Sequence, residues 1–127
     1  MHLFQYGYSL VIFKNKLNEK FLNEQAQAYI GTHDFKAFCS AGSTVEDTVR
    51  TVKSFSVTRD GEEVIFTVEA DGFLYNMVRI MVGSLIEISE NKIEKDTLND
   101  IIEGKDRALA GRTAPPQGLY LKEIYFT

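Results

Sequence analysis

The stretch from Phe73 to Ile86 constrains this chain most. Leu74, Met77, Val78, Met81, Leu85 and Ile88 recur at helical spacing, and Phe73, Ile80, Val82 and Ile86 fill much of the remaining circumference. A helix that is apolar nearly all round is a buried helix. Arg79 is its only charge between Asp71 and Glu87. A guanidinium keeps its proton in any protein, so a buried Arg79 needs an anion. Two readings stand open. Arg79 forms a structural pair with a carboxylate of the same chain, or it lines a cleft and waits for an anion from elsewhere. On the helix it shares a face with Tyr75 and Asn76 one turn back and with Gly83 one turn on. Gly83 weakens the helix but leaves space beside the guanidinium.

Around this helix the chain reads in order as strand, helix, short turn, hairpin, long helix, short helix, strand. Leu3 to Phe13 alternates as a strand, with Tyr6, Tyr8, Leu10 and Ile12 on one face. It starts abruptly, as a fragment of a larger protein often does. Phe21 to Ile30 is a short amphipathic helix stopped by Gly31. Thr32 or Asp34 caps a further helical turn that Phe35 and Phe38 anchor in the core. Ser40 to Asp47 is a polar loop. Val49 to Arg59 and Val64 to Ala70 form a hairpin around the turn signal Asp60-Gly61, although the first strand alternates cleanly only from Phe55 to Thr58. Asp96 to Glu103 is a second short helix closed by Gly104. Lys105 to Gln117 is a loop stiffened by Pro115-Pro116, and Leu119 to Phe126 is the last strand. The expectation is one α+β domain spanning residues 1–127: a four-stranded, mainly antiparallel sheet with the helices packed on one face.

Composition excludes several functions. With 127 residues, 44% hydrophobic and 25% charged, the chain suits one domain with a single core. Arg79 interrupts the best candidate for a membrane span, so no membrane is expected. A net charge of −4 argues against a free-standing module that grips nucleic acid through a uniformly basic face. Cys39 is the single cysteine, which forbids an internal disulfide and suits a reducing cytoplasm. The two histidines, His2 and His33, give neither a metal-ligand spacing nor a Ser-His-Asp arrangement, and no phosphate-binding glycine loop is present. Residue chemistry alone yields an α+β domain with a possible anion site at Arg79.

Four stretches stand out in register, Gly31 to Phe38, Phe73 to Gly83, Asp106 to Leu121 and Tyr6-x-Tyr8, and together they resemble the tRNA pseudouridine synthase A family. Gly31-Thr32-His33-Asp34-Phe35-Lys36-Ala37-Phe38 is similar to its glycine-x-His/Asn-Asp-Phe segment. Phe73 to Gly83, with Met77-Val78-Arg79, is similar to its Met-Val-Arg helix. Asp106-Arg107, Ala110-Gly111 and Thr113 to Leu121 resemble its closing segment, and Tyr6-x-Tyr8 the strand that opens its second half. The resemblance implies an isomerase that converts uridine to pseudouridine in the tRNA anticodon stem-loop, needs no cofactor or metal, and works as a cytoplasmic homodimer. The family's catalytic Asp lies in a Gly-Arg-Thr-Asp segment of the first half. Here Gly111-Arg112-Thr113 is followed by Ala114, which cannot act as the carboxylate. The chain therefore looks like the C-terminal half of the enzyme, inactive without the N-terminal half. The resemblance makes Arg79 the partner of that Asp, and Tyr6 a residue that stacks near the base or assists proton transfer. It makes Leu119 an apolar wall near the base and puts Asn76 beside the substrate. The competing reading is a non-catalytic α+β domain that binds RNA or protein.

Overall fold

A computed structural model describes residues 7–14, 17–40, 46–114 and 119–125. Strand β1 is Gly7–Lys14, followed by helix α1 at Glu19–Ala26 and strand β2 at Gly31–Asp34. The hairpin consists of β3, Val49–Asp60, and β4, Glu63–Ala70. Helix α2 is Met77–Ser89, α3 is Leu98–Gly104, and β5 is Leu119–Tyr125. The strands form one sheet in the order β2-β3-β4-β1-β5, and every neighbouring pair is antiparallel.

The α+β class expected from the sequence holds, but the sheet has five strands where four were expected. The addition is β2, an edge strand of four residues read from the sequence as the start of a helical turn. Gly31 has φ 116°, open to glycine, and turns the chain onto β3, where Thr32 Oγ1 lies 2.8 Å from Thr51 Oγ1. The turn follows as a short 3-10 segment at Lys36–Phe38; Phe35 stands at its N-cap, and the Lys36 amide donates to Asp34 Oδ1 at 3.1 Å. Phe35 and Phe38 are fully buried, as expected.

Strand β4 is central and shows why the helices gather on one face. Val64, Phe66, Val68 and Ala70 are all fully buried, while Ile65 and Thr67 on the other face are half-buried. The buried row joins Leu22 and Ala26 of α1, most of α2 and Leu98, Ile101 and Ile102 of α3 in a single cluster. In β3 the register shifts between Val52 and Ser54. This bulge adds one residue, so Val52 and Phe55 both face the core although they are three apart. The ragged alternation of that strand has this cause. In the hairpin, Gly61 takes φ 62° at the first of two loop positions, the backbone that such a tight turn demands.

Helix α2 is buried all round, as its sequence demands: among its residues only Arg79, Glu87 and Ser89 fall short of full burial. It begins later than expected. Phe73 to Asn76 are not helical, because Asn76 adopts φ 59° and ψ 14°, a left-handed conformation that cannot continue an α-helix. Ser40 braces this turn. Its amide donates to the Tyr75 carbonyl at 3.1 Å, and its hydroxyl accepts from Asn76 Nδ2 at 3.0 Å. No helix is long and apolar enough to cross a membrane among the described residues.

Candidate functional site

Arg79 sits in the first turn of α2, half-buried. Among the described residues no carboxylate lies within ion-pair distance of it. Of the two open readings, the structural pair with an acid of the same chain therefore finds no support in the described residues. Its guanidinium instead donates to a single main-chain oxygen, Ala114 O, from Nε at 3.2 Å and from Nη2 at 2.7 Å. Ala114 returns the contact, its amide donating to Arg79 O at 3.0 Å.

Segment 111–114 lies along α2 because two glycines let the backbones meet. A Cβ on Gly83 would stand 1.8 Å from Arg112 O, and one on Gly111 would stand 2.7 Å from Ser84 Cα. The space that Gly83 leaves is thus filled by the main chain. Further along, the Gly111 amide donates to Ser84 Oγ at 2.8 Å, and the Arg112 amide donates to the Glu87 carboxylate. Arg107 reaches in from a 3-10 turn at Arg107–Leu109 and donates to Gly111 O at 2.8 Å. A polar backbone segment can be laid against an apolar helix only if its buried amides and carbonyls find partners, and here the amides of Gly111, Arg112 and Ala114 and the carbonyls of Gly111 and Ala114 do. Sequence reasoning missed Ser84, Glu87 and Arg107 as the anchors. The available signal was the pair Gly83 and Gly111, each a point of close approach.

Behind Ser84 lies Tyr29, completely buried at the end of the 3-10 turn after α1. Its hydroxyl donates to Met81 O at 2.9 Å. Burial pushes its phenol well above the ordinary 10.0. Tyr29 is thus a neutral structural strut under the Ser84 anchor.

The remaining expected residues are placed as follows. Asn76 immediately precedes α2 rather than lying on its face, and its Nδ2 donates to Ser40 Oγ. Tyr75 also precedes the helix and is 62% exposed. Tyr6 lies outside the described residues. Leu119 starts β5, opposite Phe13 in the β1 register, whereas Gly7 pairs with Tyr125. Phe13 and Gly7 are six positions apart, about 20 Å along a strand. The register therefore does not bring Leu119 to the Gly7 end of β1. His33 Nε2 lies 3.0 Å from Ile30 O, and its ring packs edge-on to Phe35.

A sequence model of the tRNA pseudouridine synthase family matches residues 25–127. The chain belongs to this family. It is 47% identical over 112 residues to the tRNA pseudouridine synthase A of Acetivibrio thermocellus, covering 88% of this chain and 46% of that protein. The enzyme of the same name from Clostridium acetobutylicum is 42% identical over 125 residues, 98% of this chain and 48% of the relative. That of Bacillus subtilis is 43% identical over 114 residues, 90% and 46%. The chain spans about half the length of the curated relatives it matches.

Proposed function

We propose that residues 1–127 are the C-terminal half of the catalytic fold of a tRNA pseudouridine synthase, and that the whole protein isomerises uridine to pseudouridine in the tRNA anticodon stem-loop. The observation that carries this reading is Arg79. In a chain of this family, a half-buried guanidinium holds a main-chain oxygen and meets no carboxylate among the described residues. The N-terminal half supplies the catalytic Asp. Beside Arg79 that Asp stays ionised and oriented, since an adjacent cation favours the charged carboxylate and a guanidinium fork fixes its plane.

The reaction is an isomerisation, so it conserves atoms and electrons and calls for no redox partner. Asn76 shapes the turn that leads the chain from β4 into the Arg79 helix. Tyr6, which stacks near the base or assists proton transfer, and Leu119, the apolar wall, rest on the family resemblance alone. The whole enzyme works in the cytoplasm as a homodimer with tRNA lying across both subunits. A net charge of −4 on this half leaves most phosphate contacts to other surfaces.

The test is turnover. The full-length protein, given an unmodified tRNA transcript, forms pseudouridine in the anticodon stem-loop without added metal or cofactor, and Arg79→Ala removes that activity. A full-length protein that forms none overturns the reading.

A further inference from the structure

A guanidinium has five N–H donors in a planar fork. At Arg79, Ala114 O takes Nε–H and one Nη2–H, which is the whole of one edge. The adjacent edge, Nη1 with the second Nη2–H, keeps the two-point spacing that matches a carboxylate. The direction in which this edge faces depends on where Ala114 O stands. That oxygen stands where it does because the segment before it is anchored twice on α2, at Ser84 and at Glu87. Ser84 is a fixed acceptor: it is fully buried, and its own proton goes to Ile80 O at 2.8 Å.

We infer that Ser84 and Glu87 are positioning residues of the active site. By holding segment 111–114 on α2 they keep Ala114 O on the Nε edge of Arg79, and the incoming catalytic carboxylate docks end-on, through Nη1 and Nη2. Neither residue touches the substrate. Each acts through the Ala114 carbonyl on the direction of one guanidinium, so its loss appears in the chemical step and not in RNA affinity. The inference rests on the function proposed above and adds to it which edge of Arg79 receives the acid and what aims that edge.

The experiment is steady-state kinetics on tRNA with the full-length protein and its Ser84→Ala, Glu87→Ala and Glu87→Gln variants. Melting curves accompany it, and assays are run well below the melting temperature. Ser84→Ala and Glu87→Ala are expected to lower kcat roughly 10- to 100-fold, the usual effect of a small misplacement, and to leave KM within about twofold. Glu87→Gln is expected to keep nearly all of kcat, because its amide oxygen still accepts from the Arg112 amide. If the anchors serve stability alone, the alanine variants melt earlier and the folded enzyme keeps its kcat, which overturns the inference. Loss in KM alone, or a Glu87→Gln as impaired as Glu87→Ala, overturns it too. Should Ser84→Ala not fold, the two Glu87 variants decide. An inactive wild type counts against the proposed function, whereas an active wild type with unimpaired variants counts only against the positioning role.

Discussion

Gly83→Ala sets two effects of opposite sign against each other. In a helix interior Ala is better than Gly by about 1 kcal/mol, so a segment-free helix would be stabilised. Here the new Cβ would stand 1.8 Å from Arg112 O, 3.0 Å from Arg112 C and 3.1 Å from Ala114 N. The first contact is with main chain, not with the far end of a flexible side chain, so the backbone from Arg112 O to Ala114 must lift away while the Gly111 and Arg112 amides stay anchored. Lifting it breaks the Ala114 amide bond to Arg79 O and the paired bonds from Arg79 to Ala114 O. A neutral bond contributes about 1 kcal/mol and a charge-assisted one about 2–3 kcal/mol, so the loss is about 3–4 kcal/mol. After the gain in propensity, the net destabilisation is about 2–3 kcal/mol. The assay is urea unfolding of the purified protein, wild type against variant, read as the shift in midpoint at constant slope. A midpoint equal to or above that of wild type would refute the reasoning, because it would mean that no backbone passes over Gly83.

Three further outcomes follow from other contacts. Tyr29→Phe removes the hydroxyl that donates to Met81 O and is expected to cost about 1 kcal/mol below pH 10, measured by the same unfolding assay. The folded phenol resists deprotonation, so its contribution is complete below the unfolded value of 10.0 and falls as pH rises above it; the Phe variant loses this part of the alkaline sensitivity. Glu19 is held below its ordinary 4.5 by its own backbone amide first and by Arg59 next, at 3.1 Å. Its contribution is therefore present above pH 4.5 and lost as pH falls through the lower folded value; Glu19→Gln should flatten that part of the acid unfolding curve. Arg79→Lys in the full-length protein should lower turnover about 100-fold or more, because one ammonium cannot hold Ala114 O and offer a flat fork as well.

The elements that could be read from the sequence are those with strong local signals. Helix α2 announced itself by an apolar surface with one charge, and the hairpin by Asp60-Gly61 between alternating strands. Strand β2 could not be read, because four residues carry too little pattern and what makes them a strand is the neighbouring β3. The start of α2 was misplaced for a related reason: Phe73 to Asn76 fit a helical period, and only the contacts with Ser40 turn Asn76 left-handed. At the site, Arg79 was legible as the one cation in an oily helix. Its acceptor was not, since Ala114 O is a main-chain atom and residue type says nothing about where it lies. The two glycines marked the close approach without saying what approached.

The central proposal is that Arg79 is one side of a catalytic pair whose acid comes from the N-terminal half. Pseudouridine is joined to its ribose through C5, so each turnover releases the C5 hydrogen, and tRNA tritiated at C5 of uridine reports the reaction directly. The 127 residues alone are expected to release no tritium, and to release it once the N-terminal half is supplied in the same assay. Release by the 127 residues alone, or release that survives Arg79→Ala in the reconstituted protein, would contradict the claim.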